Sequence, residues 1–145
     1  MLALIQRVSS ASVSVEGSVV GSIDHGLLLL LGIEKADTEQ QAEKLLQKVL
    51  AYRVFADAAG KMNLGLRDVQ GGLLVVSQFT LAADTDKGLR PSFSSAKAPA
   101  EAEQLYEYFL ASARAAYEKV EAGRFGADMK VALVNDGPVT FLLKS

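Results

Sequence analysis

A single α+β domain is what this sequence predicts, and three observations predict it. With 145 residues, half of them hydrophobic and 22% charged, the chain can bury a core without disulfides or a structural metal. Strand and helix patterns follow one another as strands, a helix, strands, a helix and a final strand pair, without regular βαβ alternation. Only two segments carry sustained helical periodicity. The expected architecture is a mostly antiparallel or mixed, barrel-like sheet with two main helices packed against it, spanning 1–145 as one unit.

Each element has its own warrant. Leu2 to Val8 and Ala11 to Val15 read as strands, the second with Val13 and Val15 alternating with serines. Glu16-Gly17 marks a turn into Ser18 to Ile23, and Leu27 to Leu31, bounded by Gly26 and Gly32, reads as a buried central strand. Asp37 with Gln40 three residues on resembles a capping box, and Ala42, Leu45, Leu46 and Val49 follow at helical spacing to about Tyr52. Arg53 to Ala56 and Lys61 to Leu66 flank a turn at Asp57-Ala58-Ala59-Gly60. The apolar run Leu73-Leu74-Val75-Val76 is a further strand, and the long loop from Ala82 to Lys97 is of a length that tends to be functional or disordered. Pro99 opens a second helix with Ala102, Leu105, Tyr106, Phe109, Leu110, Ala113 and Tyr117 on one stripe, and Gly123 is its expected stop. Met129 to Val134 and Pro138 to Leu143 flank Asn135-Asp136-Gly137, read as a hairpin turn.

Composition removes several classes of chemistry. The net charge of −2 gives nucleic acid or membranes no global attraction, so a nucleic-acid partner needs a local patch. Without cysteine there is no thiol nucleophile or thiolate metal site, and one histidine, His25, in an Asp-His-Gly turn, makes a poor base or zinc ligand. No metal or cofactor is expected. Met1 to Ile5 is broken by Gln6 and Arg7, short of a signal-peptide core, and Leu27 to Leu31 is too short to span a bilayer, so a cytoplasmic protein is expected. Asp84 and Asp86 fit solvated turn formers, and Lys87, Arg90 and Lys97 fit either a solvated loop or a phosphate contact.

Two features survive. Ser77-Gln78-Phe79-Thr80 sets three polar side chains at the end of an apolar strand, where an unpaired buried polar group costs roughly 1–3 kcal/mol. Alone, the four residues fit equally a ligand site or a strand running into a loop with Phe79 in the core. The other is Gly137-Pro138-Val139-Thr140, where a proline starts a strand; spacing alone favours a plain hairpin turn.

Together, Ser77-Gln78-Phe79-Thr80-Leu81 and Asn135-Asp136-Gly137-Pro138-Val139-Thr140 resemble the two signatures of the D-aminoacyl-tRNA deacylases, also called D-tyrosyl-tRNA deacylases. The likeness runs end to end through Ala3 to Val8, Gly60 to Leu64 and Arg90-Pro91-Ser92-Phe93. It implies hydrolysis of the ester joining a D-amino acid to the 3′ end of tRNA, a proofreading step in translation. It also implies a homodimer with the active site at the interface, Gly137 and Pro138 reaching across through a cis bond into the partner's pocket. Backbone carbonyls there would bind the substrate ammonium and crowd an L side chain. Such a pocket cannot strongly reject glycine, so glycyl-tRNA, including glycine mischarged on tRNA-Ala, is an expected substrate.

Ser77, Gln78, Phe79 and Thr80 are thus the expected catalytic residues, with Arg7 and Met129 in support. Thr80 invites assignment as a nucleophile, but the sequence supplies no convincing base for it. Backbone N–H groups at Phe79-Thr80 acting as oxyanion donors, with the ribose 2′-hydroxyl helping to activate water, are the more economical expectation. The rival readings are a tRNA-independent esterase using Thr80 and a non-catalytic dimeric binding module.

Overall fold

The computed structural model describes residues 1–145. Its elements are β1 (Leu2–Val15), β2 (Ser18–Ile23), β3 (Gly26–Gly32), α1 (Glu39–Ala51), β4 (Phe55–Ala56), β5 (Met62–Leu64), α2 (Leu66–Val69), β6 (Gly72–Ser77), α3 (Pro99–Ala116), β7 (Val120–Ala122) and β8 (Met129–Lys144). The class is α+β, with a short third helix, α2, beyond the two main ones.

The sheet is mixed: β1 is antiparallel to β2, β3 and β8, whereas β3–β6 and β6–β7 are parallel. β2 and β3 lie end to end along one edge of β1, and β8 runs along the other. The sheet curls until β2 meets β7. A Cβ built on Gly21 would stand 2.7 Å from the Ala122 carbonyl oxygen, an approach only glycine permits, and the barrel is nearly closed there.

Closure explains the unbroken apolar run of β6, because a strand covered on both faces needs no polar alternation. Leu73 and Val75 join the large core with Leu27, Leu29, Leu31 and the inner faces of α1 and α3. Leu74 and Val76 point the other way, into a smaller cluster with Val8, Val13, Ile23 and Leu28. No helix is long and apolar enough to cross a membrane.

Several local expectations are corrected. β1 is one strand, not two, since β8 follows it across the expected break at Ser9-Ser10 with a register shift instead of a turn. Asn135-Asp136-Gly137 is not a hairpin: its two flanks belong to one strand and both pair with β1. Gln6 faces Thr140 and Val8 faces Asn135, so two steps on β1 oppose five on β8, and the surplus bulges out. The α1 N-cap is Thr38 rather than Asp37, its N–H donating to Gln41 Oε1 at 2.8 Å. Asp37 is instead buried, accepting from the Met1 ammonium and the Glu34 N–H, both at 2.7 Å. α3 ends at Ala116, not Gly123, because Val120–Ala122 is taken up as β7 beside β6.

Tyr106 ties α3 to the sheet, its hydroxyl donating to the Val75 carbonyl at 3.3 Å. Burial pushes its pKa up from 10.0 to about 12, with Glu107 adding and Arg114 opposing. Above pH 10 the unfolded chain sheds this proton while the folded chain keeps it, so stability is intact below pH 10 and falls toward pH 12. Tyr106→Phe is expected to cost about 1 kcal/mol at neutral pH and to flatten that alkaline fall. Urea melts across the window check both.

Candidate active site

β6 delivers the first signature. Ser77 is its last residue, paired with Leu31 of β3, and the Gln78 N–H still donates to the Leu31 carbonyl at 2.8 Å. The chain then tightens into a 3₁₀ turn over Phe79–Ala82, closed by Leu81 N–H to Gln78 O at 3.1 Å. The first N–H groups of such a turn, those of Phe79 and Thr80, have no partner within it. Phe79 is not in the core: it is 64% exposed and tilts against Phe93, ring centroids 5.2 Å apart.

Beside this strand end lies a cavity of about 640 Å³. Ser77, Gln78 and Phe79 form one wall, Phe93 and Lys97 another, and the start of α3, Phe125 and Met129 the rest. The Lys97 ammonium is engaged, donating to the Lys35 carbonyl at 3.0 Å and standing 3.8 Å from Glu101. Met129 is half-buried, and besides lining the cavity it packs on the smaller core cluster. Thr80 does not line the cavity; its hydroxyl oxygen accepts from Gln78 Nε2 at 2.6 Å. His25 is an exposed turn residue beside the start of β6, its ring edge on Phe55 at 5.1 Å. Asp84 forms a local turn, accepting from the Asp86 N–H at 2.9 Å.

The second signature is the β8 bulge. The Gly137-Pro138 peptide bond is cis, and Gly137 has φ 140°. Asn135 clamps the base: its Oδ1 accepts from the Val139 N–H at 2.7 Å and its Nδ2 donates to Thr140 Oγ1 at 2.9 Å. Arg7 braces it from β1, donating from Nε to the Asp136 carbonyl at 2.9 Å and from Nη1 to the Val54 carbonyl at 2.7 Å.

Within one chain the two signatures do not meet. Gly137, Pro138 and Arg7 are absent from the cavity wall. In register, Ser77 lies level with Leu31, Ala3 and Leu143, whereas the bulge sits level with Arg7. That is three strand spacings, about 14 Å, and four residues along the strands, about 13 Å. Two parts of the constellation, the wall residue Phe125 and the clamp Asn135, carry no local sequence signal of these roles, which arise from tertiary contact.

The curled sheet with its strand-end cavity is that of an ester hydrolase of the deacylase class: the D-Tyr-tRNA(Tyr) deacylase family model matches residues 4–144. With that match covering nearly the whole sequence, the chain belongs to the D-Tyr-tRNA(Tyr) deacylase family. It is 65% identical to the D-aminoacyl-tRNA deacylase of Cellvibrio japonicus, over 99% of each chain, and 64% identical to that of Aeromonas hydrophila over the same shares. Among solved structures, a c-Myc DNA unwinding element binding protein superposes with TM-score 0.96 at 42% identity, covering 100% of this chain and 99% of that one. A probable eukaryotic D-amino acid tRNA deacylase shares the fold alone, with TM-score 0.88 at 15% identity over 99% and 98% of the two chains.

Proposed function

We propose that this chain removes D-amino acids from the 3′ end of tRNA, working in the cytoplasm as a homodimer whose sites each combine the cavity of one subunit with the Gly137-Pro138 bulge of the other. The observation that carries this reading is the separation of the two signatures within one chain, each with a rigid geometry and neither complete. β8 favours a second copy as the completing partner. It pairs only with β1 and leaves Leu133, Val134, Phe141 and Leu142 exposed, a long apolar edge of the kind that a partner strand or face covers.

The cavity suits a terminal adenosine, because Phe79, Phe93 and Phe125 offer flat apolar faces and bases stack on such side chains for about 1–3 kcal/mol each. Water attacks the ester carbonyl carbon, and the N–H groups of Phe79 and Thr80 take the oxyanion. The bond to the ribose 3′-oxygen then breaks, that oxygen takes a proton, and free amino acid and tRNA result. Gln78 holds the turn through Thr80. Thr80 as nucleophile is disfavoured, since an amide donor rather than a base meets its hydroxyl.

Incubating the purified chain with D-tyrosyl-tRNA and L-tyrosyl-tRNA tests the reading: the D form is deacylated and the L form persists. Loss of both at equal rates, or of neither, refutes it. Selection by crowding also sets a second expectation, that glycyl-tRNA is cleaved rather than rejected, at a rate within about 200-fold of D-alanyl-tRNA, which carries one carbon more, since a single methylene changes binding by about 1–3 kcal/mol. Acid-gel analysis of the charged fraction over time measures it, and intact glycyl-tRNA would remove steric rejection as the basis of selectivity.

A further inference from the structure

The long loop is not loose chain. Asp84 and Ser92 exchange N–H to carbonyl bonds at 2.7 and 2.9 Å, closing an arm over residues 85–91. Ser92 Oγ donates to Ser94 Oγ at 3.1 Å and Ser95 Oγ to the Ala82 carbonyl at 2.7 Å, so the arm's base is fastened. At its tip Gly88 turns with φ 70°, and Leu89 stands clear of the protein at 106% exposure. Lys87 and Arg90 flank it, both exposed and, like most of the chain's cations, without a carboxylate within 4.0 Å. The leucine at the tip of this fastened arm buries nothing within the chain.

The arm's position gives it a use. Its return strand leads directly to Phe93, which packs on Phe79 at the cavity wall. Arg90 is three residues from Phe93, at most about 10 Å of extended chain. A nucleic-acid strand leaving the cavity on the Phe93 side would meet the arm within its first few nucleotides. Because the whole chain carries a net charge of −2, a polyanion can be held only by such a local group.

We propose that the 85–91 arm docks the single-stranded acceptor end of tRNA, Lys87 and Arg90 meeting the phosphates behind the terminal nucleotide and Leu89 lying against a ribose or base face. This rests on the tRNA-directed reading above and adds to it the surface that separates tRNA from a small ester.

The test is the double variant Lys87→Ala/Arg90→Ala, with Arg90→Lys as the charge-preserving control. The ratio of kcat/KM on D-tyrosyl-tRNA to that on 3′-O-(D-tyrosyl)adenosine is expected to fall at least tenfold in the double variant and by less than threefold in Arg90→Lys; an unchanged ratio overturns the proposal. Binding of uncharged tRNA, followed by fluorescence anisotropy, needs no chemistry. Its affinity is expected to fall at least fivefold and its log–log salt slope to shrink by about 1.4, two phosphates at about 0.7 each. Equal affinity and slope would overturn the arm's role. If the wild-type chain hydrolysed no charged tRNA, the functional reading would fail while this binding comparison still decided the arm.

Discussion

Replacing Gly137 by alanine is expected to lower kcat/KM on D-tyrosyl-tRNA about a hundredfold or more while leaving the chain folded. The backbone there has φ 140°, a region L side chains rarely adopt, and the added Cβ would stand 2.7 Å from Val139 Cγ2, 3.0 Å from the Val139 nitrogen and 3.2 Å from Arg7 Nη2. Two of those contacts belong to the groups that fix the bulge, since Val139 N–H is held by Asn135 and Arg7 by the Asp136 carbonyl. The bulge must turn to relieve the clash, and displacements near 1 Å at a positioning element can cost about 10²-fold. Asp136, Gly137 and Pro138 are exposed, and of the bulge only Val139 reaches the packed core, so the stability loss should stay within about 1–3 kcal/mol, the cost of one strained residue. Thermal melts and steady-state kinetics separate the two effects. Mixing this variant with one defective at the other signature, Phe79→Pro, adds a test of the dimeric site. Random pairing makes half the dimers mixed, each with one intact site, so about a quarter of wild-type activity should return. No recovery would mean that each site is built within one chain.

What the sequence disclosed divides along physical lines. The elements whose identity is local were legible: the apolar β6 run, the starts of the two main helices to within a residue, the Glu16-Gly17 and Asp57-Gly60 turns. What depended on pairing was not. Asp136-Gly137 carries the local chemistry of a hairpin, yet β1 is long enough to pair both flanks, and the surplus residues became a bulge braced by Arg7. Gly123 reads as a helix stop, but the segment before it finds β6 and becomes a strand. Asp37 reads as a cap, but lies within reach of the Met1 ammonium and binds that instead. The site followed the same rule: Ser77 to Phe79 and Met129 line one cavity, Thr80 does not, and Phe125 joins them only through the packing of the segment before β8.

An oxyanion bound by the backbone of Phe79 and Thr80, as proposed, makes a second large effect testable, because one substitution removes an N–H and its control does not. Proline at Phe79 is compatible with the first position of a helical turn, and it deletes the donor assigned to the oxyanion. A loss of about 10²–10³ in kcat is expected, as for removal of one such donor elsewhere. Phe79→Ala keeps the N–H and loses only the ring, so its cost should appear in KM. Thr80→Ala should retain most activity, because its hydroxyl meets only Gln78 and does not face the cavity. In the same proposal the proton traffic falls to the substrate's own 2′-hydroxyl, since no histidine, carboxylate or thiol is among the residues it places at the ester. A tRNA ending in 2′-deoxyadenosine should therefore be cleaved about 10²-fold more slowly, the lower end of what a positioned acid–base group contributes, and equally so by wild type and Thr80→Ala. If Thr80→Ala were inactive, or a Thr80-linked acyl group were found by mass spectrometry, the hydroxyl rather than the backbone would be the catalyst, and the 2′-deoxy substrate would then be cleaved at close to the normal rate.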